Sequence, residues 1–275
     1  MRMKSIFRHE TILFLVVIVA LVILSIQAEQ FATIDNLLNQ GRFLTEVSLV
    51  ALIMTFVIVT GGIDLSVGSI LGLSAIVLGV AWKKLGLPLP LAILVALSVG
   101  TLAGLFNGII ITRFKVPPLI ATLATLALYR GLAEGISQAR SIRGYPEWFF
   151  ILGQGEFFGI PTQLWIVAFF TLLTGFILTY TTWGRATYAI GANETAARFS
   201  GIAVDKTKLF IYAASGFAAS LAAIMFVSRV STTRSDMGMG LELDAITAVV
   251  LGGTRIFGGK GTIVGTFFGL ILIQI

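Results

Sequence analysis

The sequence contains no cysteine among its 275 residues, and only 12% of them are charged, whereas 57% are hydrophobic. The absence of cysteine excludes disulfide bonds, thiolate metal sites and a cysteine nucleophile. Soluble domains carry about 25% charged residues, so this scarcity of charge excludes an ordinary soluble domain. The mean hydropathy of +0.98 agrees. The chain is therefore expected to be an integral membrane protein.

The common sequence motifs of catalysis are also absent. The sequence has no phosphate-binding loop, no GxSxG nucleophile elbow, no HExxH zinc motif and no dinucleotide fingerprint. We therefore predict no catalytic residue, no metal site and no cofactor. The chain is not expected to be an enzyme.

Apolar runs recur from residue 11 to the last residue. Because a bilayer core requires about 20 apolar residues per helix, they predict an all-α, polytopic transmembrane helical bundle with about nine spans. The bundle forms a single domain over 1–275. The last run is too short at residue 275 to cross a bilayer, which predicts that the C-terminal end is missing. The predicted spans are 11–27, 43–60, 65–82, 89–111, 117–136, 163–181, 207–228 and 243–257, with a ninth from about 261.

The net charge of +6 is explained by membrane topology. If the N-terminus is cytoplasmic, the outer loops hold fewer cations and most of the acids, which is the positive-inside bias. The sequence thus predicts a multi-pass membrane protein with a cytoplasmic N-terminus, and no nucleic-acid partner. The cations on the inner side are then Arg2, Lys4, Arg8, Arg113, Lys115, Arg185, Arg198, Lys206, Lys208, Arg255 and Lys260.

Two nonapeptides place glycine at every fourth position. In lipid, stripes of small residues allow helix backbones to approach closely. The stripes therefore predict helix contact faces, used either within the chain or against a second subunit. Their glycines are Gly100, Gly104 and Gly108 in the first nonapeptide, and Gly261, Gly265 and Gly269 in the second.

A lone aspartate, Asp64, stands between two apolar runs in the stretch GGIDLSVGS at 61–69. The double glycine can end one helix, and Asp64 or Ser66 can cap the next. Breaks of this kind also lie beside the substrate path of transporters, although span counting puts this one near the cytoplasmic face. Asp64 is thus either a structural cap or part of a gate. The other polar or small candidates for a pathway, or for hydrogen bonding between helices, are Gly62, Asn107, Thr122, Thr125 and Thr247.

Two further patterns suggest structural roles. The segment 249–261 repeats the double glycine after an apolar run, which suggests a weak internal repeat. Arg130 and Glu134 lie four residues apart on one predicted helix and are expected to form an ion pair.

The longest hydrophilic segment covers 183–206. Asn193 is a suitable N-cap, Glu194 suits the first turn, Arg198 follows four residues later, and Gly201 can end the helix. This pattern predicts a helix of about seven residues outside the membrane. It is either a docking site for a cytoplasmic partner or a simple loop helix.

Four stretches together resemble the permease subunits of bacterial ABC importers for ribose, xylose, arabinose, rhamnose and autoinducer-2. They are GGIDLSVGS at 61–69, NGIIITRFKVPPLIATLATL at 107–126, GRATYAIGANETAARFSGI at 184–202 and AITAVVLGGTRIFGGKGT at 245–262. The resemblance extends from about residue 40 to the end. The stretch 231–253 is most similar to the autoinducer-2 and rhamnose branch. The sequence departs from the family at its C-terminus, where family members continue through further membrane helix.

The resemblance implies a translocation subunit of the bacterial inner membrane that pairs with itself or with a sister permease. It also implies that a periplasmic solute-binding protein delivers the sugar, and that two cytoplasmic ATP-binding subunits use the ATP. The segment 184–202 matches the coupling region of the family. The ATPase contact is therefore expected at Asn193, Glu194, Arg198, Phe199 and Gly201.

Two alternatives remain open from the sequence. One is a related permease for branched-chain amino acids or nucleosides. The other is an ion- or proton-coupled secondary transporter, which would require carboxylates deep inside its spans. The acids nearest the predicted spans, namely Glu46, Asp64, Glu134 and Asp244, are expected at or close to span ends, which argues against that class.

Overall fold

The computed structural model describes residues 3–275, with side chains from residue 10 onward. Arg2, Lys4 and Arg8, which contribute to the predicted orientation, fall outside the described side chains. The described chain is an all-α bundle, as the apolar runs predicted. Its helices are α1 (Met3–Gln27), α2 (Ile34–Val59), α3 (Val67–Lys83), α4 (Leu89–Arg113), α5 (Pro118–Ser137), α6 (Glu147–Gln154), α7 (Thr162–Tyr180), α8 (Thr182–Ala192), α9 (Glu194–Phe199), α10 (Val204–Val230), α11 (Leu241–Leu251) and α12 (Ile263–Gln274).

Two small antiparallel ladders accompany the helices. Strand β1 (Ile142–Arg143) pairs with β4 (Thr232–Thr233), with Ile142 opposite Thr233. Strand β2 (Glu156–Phe157) pairs with β3 (Ile160–Pro161) in a hairpin. The first ladder joins the segment after α5 to the segment after α10.

The core is built around α10, which packs against α2, α3 and α4. Small residues make this close packing feasible: a Cβ atom at Gly104 would lie 2.8 Å from the Gly216 nitrogen and against the Tyr212 carbonyl oxygen. Gly100 and Gly108 face the same helix, at Ser220 and Leu209. The first glycine stripe is therefore a contact face within the chain.

The second stripe is also used within the chain. Gly265 and Gly269 lie against the backbone of α11, at Gly252 and Ala248. Gly261 lies before the first residue of α12, and it packs against Thr254 rather than along a helix face. The six predicted packing glycines thus all contact residues of the same chain.

Large apolar side chains cover much of the outer surface, especially on α1, α5 and α7. Six of the described helices are long and apolar enough to cross a membrane, namely α1, α2, α4, α5, α7 and α10. Helices α3 and α12 are apolar but shorter. A helical bundle with this surface fits a multi-pass membrane protein.

The helix connections gather at two ends of the bundle. At the first, which we call the α9 end, the α2–α3 turn (60–66), the α11–α12 turn (252–262), α8 and α9 lie together. The Gly259 amide donates to the Val59 carbonyl at 2.9 Å, and the Tyr188 hydroxyl donates to the Gly261 carbonyl at 2.6 Å. The second, the β1–β4 end, holds α6 and both ladders, where Arg42 near the start of α2 pairs with Glu156 at 2.6 Å.

An irregular segment, 234–240, lies between β4 and α11 and runs beside α3. Arg130 of α5 holds it there: the guanidinium donates to the Met237 carbonyl at 3.0 Å, to the Ser235 carbonyl, and to the Gly68 carbonyl of α3 at 3.2 Å. The predicted Arg130–Glu134 ion pair is wrong, because among the described residues Glu134 is not within 4.0 Å of a cationic group of Arg130. The arginine instead stabilises two carbonyls of the irregular segment, which forms no helix there, and connects them to α3.

Every predicted apolar span contains a helix, but some boundaries differ. Helix α11 ends at Leu251, whereas the prediction extended to 257, because the double glycine stops the helix there. The Gly253 amide donates to the Val250 carbonyl and the Thr254 amide to the Val249 carbonyl, which closes its C-terminus. Helices α6 and α8 were not predicted.

Candidate coupling surface and buried polar cluster

The helix predicted in the hydrophilic segment is present as α9. The Asn193 side chain accepts a hydrogen bond from the Ala196 amide at 2.9 Å, which is the predicted N-cap. At the other end, Gly201 has φ +80°, and the amides of Gly201 and Ile202 donate to the carbonyls of Arg198 and Ala197. This is a Schellman closure, which requires a left-handed residue. Both caps are confirmed. Helix α8, immediately before α9, was not predicted from the sequence.

Charged side chains connect α9 to α10. Glu194 accepts from Arg198 at 3.0 Å and from Lys208 at 2.6 Å. Arg198 also pairs with Asp205, which in turn accepts from Lys115 at 3.1 Å. The predicted Glu194–Arg198 pair is thus one part of a network that holds α9 against α10. Asp205 and Lys208 were missed because their partners lie several residues away along the chain.

The surroundings of Glu194, which lies outside the membrane helices, favour its ionised form. Burial raises the pKa of Glu194, but the hydrogen bonds and charges of Lys208 and Arg198 outweigh burial and leave that pKa below its ordinary value. The Glu194 carboxylate is therefore ionised at neutral pH.

Two aromatic side chains at the α9 end are almost fully exposed. Phe199, the last residue of α9, is 89% exposed, and Phe257, in the α11–α12 turn, is 94% exposed. Phe199 belongs to the predicted coupling set, whereas Phe257 was missed because glycine-rich turns give no sign of which side chain they display. Phe199 follows Arg198 of the charged network directly in the chain, so the end of α9 offers both charged and apolar groups.

A glycine contact joins this surface to the end of α2. A Cβ atom at Gly191, in the last turn of α8, would clash with the Val59 carbonyl oxygen and with the Gly259 nitrogen. A Cβ atom at Gly258 would lie 2.9 Å from the Val59 carbonyl oxygen and 3.1 Å from the Gly191 Cα atom. The α11–α12 turn therefore lies between α8 and α2 with main-chain atoms in direct contact.

The α2–α3 break starts where α2 ends. Gly61 has φ +78°, its amide donates to the Ile58 carbonyl at 2.8 Å, and the Gly62 amide donates to the Val57 carbonyl at 3.0 Å. This is the predicted glycine-terminated helix end. Gly62 itself lies against the hydroxyl of Tyr212 in α10, so a larger residue there would collide with it.

Asp64 lies in the bundle interior and is fully buried. Its Oδ1 accepts from the Ser66 amide at 3.0 Å and from the Ser66 hydroxyl at 2.6 Å, and its Oδ2 accepts from Ser215, near the middle of α10, at 2.8 Å. Among the side chains described from residue 10 onward, no cation lies within 4.0 Å of this carboxylate. Asp64 binds the amide of Ser66, the N-cap residue of α3, and so holds the turn before the helix. The predicted side-chain cap is not formed, because neither Asp64 nor Ser66 accepts from an amide in the first turn of α3.

The other predicted polar residues divide into two groups. Asn107 donates to the Ser66 hydroxyl at 2.7 Å, and Thr122 accepts from the Leu65 amide at 3.2 Å and donates to the Ile63 carbonyl at 3.1 Å. Thr125 is buried one turn further along α5 and donates to the Thr122 carbonyl. Thr247 is exposed on α11 and bonds only to the Leu243 carbonyl of its own helix, so it is separate from the cluster.

Ser66, which the sequence analysis named only as a possible cap, contributes two of the donors around Asp64. Three aromatic or hydroxyl residues beside this cluster were not predicted, namely Ser215, Tyr129 and Tyr212. Ser215 donates to Asp64, and the Tyr129 hydroxyl lies 3.2 Å from its acceptor Asn107 Oδ1. Tyr212 is 1% exposed, and its hydroxyl has no partner among the described atoms. Periodicity gave no signal for them, because serine and tyrosine at buried helix positions look like packing residues in a single sequence.

The four acids were expected at or close to span ends, and Glu46 departs from this expectation. It lies near the middle of α2 at 3% exposure, where Arg229 pairs with it at 2.9 Å. Asp64 lies between α2 and α3, as expected, but it is buried in the bundle interior. Burial of these carboxylates is possible because each has donors in place. The position of the acids therefore does not distinguish a secondary transporter from an ATP-driven one.

Comparison with known proteins distinguishes these classes. The profile of the family described as branched-chain amino acid transport system, permease component, matches residues 34–275. The chain is 40% identical over 264 residues to the ribose import permease protein RbsC of Haemophilus influenzae, covering 94% of this chain and 81% of the relative. It is 42% identical over 263 residues to RbsC of Bacillus subtilis, with the same coverage.

A third relative is named for a different substrate. The autoinducer 2 import system permease protein LsrD of Escherichia coli O9:H4 is 41% identical over 233 residues, covering 82% of this chain and 70% of the relative. No solved structure matches the chain significantly. With a family match over most of its length and relatives near 40% identity, the chain belongs to the family of transport-system permease components, which are translocation subunits rather than enzymes.

Proposed function

We propose that the chain is the membrane-spanning permease subunit of an ATP-driven importer that carries a sugar or sugar-like solute into the cytoplasm. The observation that carries the proposal is the identity of about 40% to ribose import permeases over 94% of the chain. The expected solutes are a pentose, rhamnose or an autoinducer-2-type compound. The identity to the autoinducer 2 permease is similar, so the choice within this group follows from transport measurements.

The topology that suits this function has nine membrane helices, namely α1 to α5, α7 and α10 to α12. With the N-terminus in the cytoplasm, the α9 end faces the cytoplasm and the β1–β4 end faces the periplasm. The cations Lys115, Arg185, Arg198, Lys206 and Lys208 then lie on the cytoplasmic side, which supports this orientation.

Three partners follow from the same proposal. Cytoplasmic ATP-binding subunits dock on the α9 end, where Asn193, Glu194, Arg198, Phe199 and Gly201 form or shape the contact. A periplasmic binding protein delivers solute to the β1–β4 end, and a second permease subunit, the same or a sister chain, completes the pathway. The exposed Phe199 and the charged network beside it support the docking role, since aromatic residues and arginine dominate such interfaces.

The buried cluster is proposed to act as the gate between the two ends. Motion of α9 passes through α8 and the Gly258–Gly259 contact to the end of α2, five residues before Asp64. The cluster joins α3, α4, α5 and α10 through Asp64, Asn107, Thr122 and Ser215, so a shift of the break repositions four helices. Gly62 and Thr125 lie beside this cluster, and the proposed pathway runs past it.

Reconstitution tests the function directly. The permease is inserted into vesicles with its ATPase subunits and binding protein, and uptake of radiolabelled ribose is measured against leucine. Uptake of ribose that requires ATP and the binding protein is the expected result. The controls are an ATPase subunit without its phosphate-binding lysine and vesicles without the binding protein. Uptake of leucine but no sugar, or uptake driven by an ion gradient without ATP, would contradict the proposal.

A further inference from the structure

A cavity of about 460 Å³ opens near the β1–β4 end, separate from the Asp64 cluster. Its walls come from α2, α10, the segment 234–240 and α11. This volume lies within the range of about 300–1,000 Å³ that is typical of small-molecule sites. None of the predicted site residues lines it, so it adds a site that the sequence did not reveal.

The charges of the cavity are nearly balanced. Its lining includes three carboxylates, those of Glu46, Asp236 and Asp244, and two guanidinium groups, those of Arg229 and Arg234. Glu46 is bound to Arg229 at 2.9 Å in the deep wall, and Arg234 is bound to Asp236 at the exposed rim. Since both guanidinium groups already have carboxylate partners, the cavity offers no free cation to an anionic ligand and little net charge to attract a cation.

Apolar groups complete the walls. The Arg229 guanidinium lies 5.0 Å from the Phe43 ring centroid and 4.9 Å from that of Phe226, so the two rings and the ion pair have fixed positions. Val47 and Leu241 add aliphatic surface. The cavity thus presents carboxylate acceptors, guanidinium donors and aromatic edges within one space.

This combination suits a neutral polyhydroxylated molecule. Each sugar hydroxyl both donates and accepts, so it can bind a paired carboxylate and guanidinium without breaking the pair. The C–H faces of a sugar ring pack on aromatic and aliphatic side chains. A zwitterionic amino acid would need a free cation for its carboxylate, and both guanidinium groups of the cavity already have carboxylate partners.

We infer that this cavity is an entry site for a neutral monosaccharide, contributed by a single permease chain at the β1–β4 end. The inference rests on the proposed function, which places this end toward the periplasm. Arg130 holds Met237, one of the residues that line the cavity, against α3, so this wall of the site has a fixed position. A sugar released by the binding protein would meet these side chains first.

The absence of cysteine allows a direct test. A single cysteine is introduced by Met239→Cys, at a residue that lines the cavity and is 72% exposed, and the rate of its alkylation by a water-soluble maleimide is measured in the assembled importer. Ribose should slow the reaction. At about ten times the dissociation constant, only about one site in eleven is empty, so the rate should fall about tenfold. Leucine at the same concentration should have no effect.

Matched variants locate the effect. Val230→Cys provides a second reporter within the cavity, and Phe158→Cys, 85% exposed on the β2–β3 turn, provides one outside it. Only the two cavity reporters should be protected. Asp244→Asn, added to the Met239→Cys chain, should weaken protection, whereas Glu147→Gln, which removes a charge on α6 outside the cavity, should leave it unchanged.

The two failures are distinguishable. An importer that transports ribose normally but shows no protection at either cavity reporter would overturn the entry site and leave the proposed function intact. Equal protection by leucine would overturn the assignment to a neutral sugar. An importer that moves no sugar under ATP would overturn the proposed function and, with it, this inference.

Discussion

A carboxylate held only by hydroxyl and amide donors, as Asp64 is, needs no charge to make its contacts. Asparagine retains an acceptor for the Ser66 amide, and its NH₂ group can donate to the Ser215 hydroxyl, so Asp64→Asn should fold with nearly unchanged stability. Leucine leaves these groups without a partner in a buried site. We expect Asp64→Leu to lose about 1–3 kcal/mol of unfolding free energy for each unsatisfied group. Thermal unfolding of the purified permease measures both variants.

Transport by the same two variants separates a structural role of Asp64 from a charged gate. If Asp64 acts by holding the turn before α3, the asparagine variant should transport sugar at nearly the normal rate when its membrane abundance matches that of the original chain. Ser215→Ala, which removes one donor and leaves the bond to the Ser66 amide in place, is the control for packing. Loss of transport in the asparagine variant at normal abundance would refute the structural role and favour the negative charge.

The contact between α4 and α10 depends on a pair of glycines whose backbones touch. A methyl group at Gly104 has no room, because the backbone of Gly216 and the Tyr212 carbonyl occupy the space. Gly104→Ala should therefore destabilise the permease by about 1–3 kcal/mol, as overpacking in a core does. The measurement is the unfolding temperature in detergent.

Gly135→Ala is the matched control for that substitution. Gly135 is also inside a membrane helix, α5, but a Cβ atom there would have nothing within 4 Å. Alanine favours helix over glycine by about 1 kcal/mol, so this variant should be as stable as the original chain or slightly more stable. Similar destabilisation by both substitutions would contradict the close-contact explanation.

The sequence predicted helices well where a long apolar run defined them. All nine predicted spans contain a helix, because lipid-facing runs such as that of α7 need no distant partner to be recognised. The caps of α9 were also predicted from the sequence, because Asn193 and Gly201 act on neighbouring residues. The sequence thus predicted the features that depend on residues close together in the chain.

What the sequence did not predict involves partners far apart along the chain. Arg130 binds carbonyls more than 60 residues away, and Asp64 binds Ser215, which is 151 residues away. A rule of four-residue spacing chose Glu134 for Arg130 because it considers one helix only. The cavity is likewise made from four separate segments, so no stretch of sequence carries its pattern.

For the whole assembly, Phe199 offers the sharpest test of coupling. It is 89% exposed and lies outside the Glu194–Arg198–Asp205 network, so Phe199→Asp should leave α9 folded while removing an anchor for the ATPase. Truncation of a central anchor costs about 2 kcal/mol or more, which corresponds to about 30-fold weaker association. Co-purification of the ATPase with the permease, and sugar uptake at matched abundance, measure the loss.

Two further variants give this result a second test and a control. Arg198→Glu places a third carboxylate beside Glu194 and Asp205, so it should weaken both α9 and ATPase retention while membrane insertion stays normal. Phe158→Asp, at an exposed phenylalanine of the β1–β4 end, should retain the ATPase fully. Full ATPase retention and full transport in both Phe199→Asp and Arg198→Glu would reduce α9 to an ordinary loop helix.

The main-chain contact of Val59, Gly191, Gly258 and Gly259 has a consequence for the amount of ATP used in transport. Side chains in contact can relax by changing rotamer, but backbones in contact cannot. A displacement of α8 is therefore transmitted in full to the end of α2. In the proposed importer, we expect this close backbone contact to determine how many ATP molecules are consumed per sugar. A less close contact would let the ATPase hydrolyse ATP while the gate stayed in place. Gly191, Gly258 and Gly259 prevent this because they lack a Cβ atom and so let the backbones touch.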